Sequence, residues 1–287
     1  MLLVVGATTG LRGSPLGVGA GGGTSPQAAP RALRVDRFDA ARAFAFLRWQ
    51  VALGPRPAGS PASRRLAARL RARAPNARYQ AVPGGLRNVI ATVPGRNPRR
   101  LVVVGAHYDT KDIPGFVGAN DGASATAVVL ELARTVRPRR LRPTVVFIFF
   151  DGEESPAGTP GGQFETAGLR GSRVAAPRFR RAEAMVLLDL VGDRDLAIPR
   201  EELSSPAVWA RIRRAARRVG AGPVFPPRTR PGVLDDHVPF LRQGVPSVNL
   251  IDFEFPCWHR PCDDLSAVSR RSLDAVGEAV LEYLRSL

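Results

Sequence analysis

The chain is poor in several residue types, and each shortage narrows what it can be. Lys111 is the only lysine among 42 basic residues; all the others are arginine. The formal charge of +17 therefore reflects a general preference for arginine, not selection of one surface for nucleic acid. The arginines are also dispersed. In "VWARIRRAARRVG" (residues 208–220) Val208, Ile212, Ala215 and Val219 mark an apolar stripe and arginines fill the other side. The expectation is a solvated basic surface that favours acidic partners, with no nucleic acid bound. No apolar run approaches the ~20 residues of a membrane span, so no transmembrane segment is expected. Two cysteines allow one disulfide at most, and only three histidines are available for metal or proton chemistry.

What is present is a globular composition, 44% hydrophobic over 287 residues, ample for one large core. Residues 1–33 begin with a short apolar stretch and continue rich in Gly, Ser, Pro and Ala. They read as a leader, either disordered or the remnant of an export signal, set apart from one folded domain over residues 34–287. The second reading places the protein outside the cytosol, in the envelope or beyond it. No feature calls for a second subunit, and a monomer is expected.

From Arg34 the pattern is regular. "RFDAARAFAFLRWQVALG" carries Ala40, Phe44, Leu47 and Val51 at helical spacing, with Gly54 as its stop. Ser60 caps a second helix that has Pro61 at its first position. "RNVIATV", "LVVVGA", "TVVFIFF", "MVLLDLVG" and "VPSVNLI" read as strands, and "ASATAVVLELARTV" and "RRSLDAVGEAVLEYLRSL" as helices. Continuous apolar strands alternating with helices predict an α/β domain, its central sheet mostly parallel or mixed and flanked by helices.

The polar residues at the strand ends carry the chemistry. His107 follows "LVVVGA", three carboxylates (Asp151, Glu153 and Glu154) follow "TVVFIFF", and Asp189 lies in "MVLLDLVG". In open α/β sheets that edge is where ligands bind. In "GANDGAS" Asp121 stands between small residues just before a helix, and Gly118 and Gly122 permit the turn. His107, Asp121, Glu154, Asp189 and His259 together supply nitrogen and oxygen donors that suit zinc at an open catalytic site. A dication would offset the repulsion within the carboxylate cluster and leave Glu153 free as a base.

"HYDT", "GANDGAS", "FFDGEES", "LLDLVG" and "WHRPCDD" resemble, in the same order, the motifs of the zinc aminopeptidase superfamily that includes animal-type glutaminyl-peptide cyclotransferases. The resemblance covers roughly residues 38–287 and implies the zinc-aminopeptidase fold. It implies that Asp121, Glu154 and His259 bind the principal zinc. In the aminopeptidases the residues matching His107 and Asp189 complete a second metal site, which implies Asp189 as the aspartate bridging both ions. Glu153 is implied as general acid/base in both branches. "LDDHVPFLRQGVP" is similar to a cyclotransferase segment in which the residue matching Asp235 joins a proton relay with Glu153 and Asp189. Trp258 matches a wall against the substrate side chain. The chain departs from that branch in having no Trp shortly after "DGEE".

The expected partners are therefore peptide or protein N-termini, and the cofactor is one zinc for a cyclotransferase or two for an aminopeptidase. A cyclotransferase forming N-terminal pyroglutamate with release of ammonia is the primary expectation, and a two-zinc aminopeptidase is the alternative. A catalytically silent binding module is disfavoured by the complete ligand set. Two readings of Cys257 and Cys262, which flank His259, stay open: a disulfide bracing the loop, or two unpaired thiols. His237 reads equally as a buttress of its loop or as a substrate contact.

Overall fold

A computed structural model describes residues 33–287. The leader expected over residues 1–33 lies outside them except for Leu33, which packs on the main core. The strands are β1 (Arg78–Val82), β2 (Leu86–Val93), β3 (Asn97–His107), β4 (Pro143–Phe150), β5 (Ala184–Asp189), β6 (Arg200–Glu201), β7 (Thr229–Arg230) and β8 (Ser247–Ile251). The helices are α1 (Ala40–Val51), α2 (Pro61–Arg73), α3 (Ala123–Thr135), α4 (Phe164–Ala167), α5 (Arg170–Ala175), α6 (Pro206–Val219), α7 (His237–Arg242) and α8 (Arg270–Arg285). Six strands form one sheet in the order β1-β2-β4-β3-β5-β8, while β6 and β7 pair separately. The β1/β2 hairpin joins β4 antiparallel, and β4, β3, β5 and β8 run parallel. The sheet is thus mixed with a parallel centre.

The central strands read as unbroken apolar runs because both their faces are covered. Successive side chains point to opposite faces. Val102, Val104, Phe147, Phe149, Val186 and Leu188 join the core that includes residues of α1, α2, α3, α6 and α8. Val103, Val146, Ile148, Phe150, Met185 and Leu187 join the smaller core on the other face, with Ala175 of α5 and Phe240 of α7. Three layers result, helices on both sides of the sheet.

One local expectation is corrected, and one strand goes beyond the sequence reading. The buried face of α1 is Ala43, Phe46, Leu47 and Gln50, rotated from the stripe expected through Ala40, Phe44 and Val51, which pack only partly buried. The rotation brings the Gln50 amide to the carbonyl of Ala123 at the start of α3, 3.0 Å away. The added strand is the edge strand β1, whose burial runs exposed, intermediate, buried, exposed, buried. Its hairpin turns through Gly84 and Gly85, both at positive φ.

Connectivity positions the site. From β3 the chain crosses through α3 to β4 on one side, then returns to β5 on the other side of β3. A crevice opens outside the carboxyl ends of parallel strands at such a switch point. The segments after β3, β4, β5 and β8 all converge there.

Candidate metal centre

Two donor groups share one carboxylate. His107, Asp121 and Asp189 form the first, and Asp121, Glu154 and His259 the second, with the donor atoms of each within 4.8 Å of one another. His107 ends β3, Asp189 ends β5, and Glu154 lies just past β4. Asp121 precedes α3 in a turn where Gly118 and Gly122 have φ of 51° and 86°. A Cβ at Gly122 would come within 2.7 Å of the Asp109 carbonyl oxygen. His259 sits in the loop after β8, closed by a Cys257–Cys262 disulfide; the unpaired-thiol reading is therefore not the one realised.

The distances fit an ion. His107 Nε2 lies 3.2 Å from Asp189 Oδ1 and 3.3 Å from Asp121 Oδ1. His259 Nε2 lies 3.0 Å from Glu154 Oε1 and 3.4 Å from Asp121 Oδ2. A tetrahedral zinc with bonds of ~2.0–2.1 Å sets neighbouring donors roughly 3.3 Å apart. Asp121 turns one oxygen to each imidazole, so the aspartate placed to bridge is Asp121 and not Asp189. His107 Nδ1 lies 3.1 Å from the Asp109 carbonyl oxygen. A proton donated along that bond leaves Nε2 with a free lone pair, the tautomer a metal needs.

The charges point the same way. Burial opposes protonation of His107, but Asp189, Asp109 and Asp121 outweigh it and hold the imidazole well above its usual pKa. His259 is raised to about 9: burial opposes protonation, and Asp121 and Glu154 overcome it. Burial also resists ionisation of Asp121, yet the two histidines pull its pKa below the ordinary carboxylate range. Protons or a dication can supply the positive charge this pocket favours, and a dication serves both histidines and carboxylates at once.

The three carboxylates after β4 have three roles. Asp151 Oδ2 accepts the backbone N–H of Arg87 at 2.9 Å and fastens β4 to β2. Glu154 is a donor-group member. Glu153 belongs to neither group and is 8% exposed, so its carboxyl stays available. Burial, then the charge of Glu154, pushes its pKa well up. Asp235 is buried beside it; burial and then the charges of Asp189 and Asp236 raise it too. The Asn249 amide donates to Asp235 Oδ2 at 2.7 Å. Trp258 stacks on the His259 ring at 4.2 Å between centroids and is partly open to solvent, while Phe116 meets that ring edge-on. His237 is fully buried, its Nε2 3.3 Å from Glu201 Oε1.

Sequence reasoning missed the groups that hold the ligands. The two oxygens of Asp109 accept the N–H groups of Glu153 and Glu154, each at 3.2 Å. Asp263 does the same for Asn120 and Asp121. Lys111 donates to Glu154 Oε2 at 2.9 Å. The buried Arg56 gives its guanidinium N–H groups to the carbonyls of Gln50, Gly54, Val117 and Gly118. Burial lowers Arg56 to about 10, against the attraction of Asp263, Asp121 and Asp109, so it stays charged at neutral pH.

Comparison with known proteins agrees with this geometry. A glutaminyl-peptide cyclotransferase of Drosophila melanogaster is 30% identical over 239 residues, 69% of this chain and 65% of that protein; the chain thus spans about two thirds of that relative's length. The crystal structure of a glutaminyl cyclase from an Acidobacteriales bacterium aligns at 30% identity and a TM-score of 0.75, covering 91% of this chain and 98% of that one. A leucine aminopeptidase precursor from Bacteroides thetaiotaomicron aligns at 27% identity and a TM-score of 0.77, covering 89% and 100%. The model of Peptidase family M28 matches residues 88–284, a span that contains every donor named above, and the chain belongs to that family.

Proposed function

We propose that the protein is a glutaminyl-peptide cyclotransferase, closing an N-terminal glutamine to pyroglutamate with loss of ammonia. The observation that carries this reading is the pair of buried carboxyls, Glu153 and Asp235, that lie outside both donor groups. Either reaction needs a proton taken from the nucleophile, water or the substrate α-amine, and returned to the departing nitrogen. Asp235, a second buried carboxyl outside both donor groups, goes beyond the single acid/base that hydrolysis requires. Zinc, when bound, supplies Lewis-acid polarisation of the glutamine side-chain carbonyl.

The chain's own residues do the rest. Glu153, outside the ligand set, takes the proton from the attacking α-amine and hands it to the leaving nitrogen. Asp235, whose charge acts on Glu153 and whose carboxylate is fixed by Asn249, holds the proton there between the two transfers, with Asp189 acting on Asp235 in turn. Trp258 walls the mouth and packs the aliphatic part of the glutamine side chain, shutting out water that would hydrolyse instead of cyclise. The solvent-reachable disulfide suits an oxidising compartment, which favours an exported protein. No helix among the described residues is long and apolar enough to cross a membrane.

One observation favours a second reading, a two-metal aminopeptidase: the His107, Asp121 and Asp189 group is as tightly gathered as the other. Product analysis separates the two. Zinc-loaded protein given Gln-peptides and Leu-anilides should convert only the Gln-peptides, each losing the mass of one ammonia. Release of anilide with unchanged Gln-peptides would select the aminopeptidase.

A further inference from the structure

Asp263 stands four positions beyond His259 and directly after Cys262. Its side chain is fully buried, and both oxygens are committed to another loop. Oδ1 accepts the N–H of Asn120 at 2.6 Å, and Oδ2 accepts the N–H of Asp121 at 3.0 Å. The main chain adds a third tie, from the Ala119 N–H to the Asp263 carbonyl at 3.1 Å. The segment that carries one imidazole donor is thereby docked on the backbone of the carboxylate both donor groups share.

Two further features make this docking consequential. His259 adopts φ 54°, a conformation non-glycine residues seldom take, so its ring direction depends on how the loop is held. The disulfide closes that loop on either side of it, and Asp263 is the loop's polar anchor to the rest of the site. On the opposite side of the Gly118–Asp121 turn, the Arg56 guanidinium grips the Val117 and Gly118 carbonyls. The turn is held by an acid on its N–H groups and a guanidinium on its carbonyls. Asparagine in place of Asp263 would keep the shape, but it accepts with one oxygen and sets an NH2 against the remaining N–H.

We propose that Asp263 is a positioning residue of the metal centre, keeping Asp121 and His259 in register so that both reach one ion. The proposal rests on the metal-centre reading of the site and is independent of which reaction the site performs. Its role is geometric, exerted through backbone N–H groups and a closed loop.

The test uses the full chain and zinc alone, by competition with a chromophoric chelator. Asp263→Asn and Asp263→Ala should weaken zinc binding by about 10–100-fold, the range found for partners that orient metal ligands. Leu70→Ala, a cavity in the core at α2, should lower the melting temperature and leave the zinc affinity of the folded protein unchanged. The visible spectrum of the cobalt(II)-loaded protein should change in Asp263→Asn and stay as wild type in Leu70→Ala. If Asp263→Ala does not fold, Asp263→Asn decides. Wild-type zinc affinity together with a wild-type cobalt spectrum in Asp263→Asn would overturn the proposal. A wild-type protein that binds no zinc would overturn it together with the metal-centre reading. Tight, Asp263-dependent zinc binding without cyclisation would support it and remove only the proposed reaction.

Discussion

Replacing Glu153 by Gln tests the division of labour between two adjacent glutamates. The amide is nearly isosteric and cannot accept a proton. General acid–base catalysis contributes ~10²–10⁴-fold, so turnover on a Gln-peptide should fall by at least about 100-fold, or about 2.7 kcal/mol of barrier. Zinc content should not change, because Glu153 is in neither donor group and the Asp109 contact is to its backbone N–H, which the substitution keeps. Stability supplies an independent check. Burial and Glu154 raise the Glu153 pKa above its unfolded value. The contribution of this group is therefore fully present below the unfolded pKa of about 4.3 and is lost as pH rises through the folded value. Chelator-treated Glu153→Gln should melt higher than chelator-treated wild type at neutral pH, with a flatter pH dependence. Turnover would be followed by ammonia release, metal by elemental analysis and melting by calorimetry. Loss of zinc and activity together would mean that the roles of Glu153 and Glu154 had been exchanged.

Other perturbations address the ligands and the wall. His259→Ala removes the only nitrogen donor of its group and should abolish activity and weaken zinc binding; full zinc content with full activity would refute the assignment. Because the protein groups alone hold His259 at about 9, zinc must displace a proton at pH 7. Zinc affinity should then rise with pH up to about 9 and level off, and a pH-independent affinity between 7 and 9 would contradict this. Chelator-treated protein should lose stability over the same rise, from the unfolded pKa of about 6.5 towards 9. Trp258→Ala should raise KM for Gln-peptides and leave zinc content unchanged, and an unchanged KM would take the indole out of the substrate site.

Much of the fold is legible in the sequence where burial is two-sided. The strands β2, β3, β4, β5 and β8 announce themselves as apolar runs because helices cover both faces. At the edge that signal fails: β1 contains Arg78 and Gln80, and its identity comes from pairing with β2. The face of α1 is equally hidden, since it is chosen by a Gln50 amide meeting a carbonyl at the start of α3. In the site the donors are legible because metal chemistry restricts residue type, and His107, Glu154 and Asp189 stand at or just past strand ends. Asp109, Asp263 and Arg56 are not, because they act on backbone groups up to 143 positions away in sequence. Which aspartate faces both imidazoles is likewise a matter of side-chain direction, and only the three-dimensional arrangement assigns it to Asp121.

The most direct test of the central claim is a zinc titration of chelator-treated protein, following ammonia from a Gln-peptide and anilide from a Leu-anilide in the same samples. A cyclotransferase should release ammonia in proportion to zinc, level off at about one equivalent per chain, and liberate no anilide. Anilide release that rises until about two equivalents are bound, with the Gln-peptide left open, would contradict the account and assign the site to a two-metal aminopeptidase.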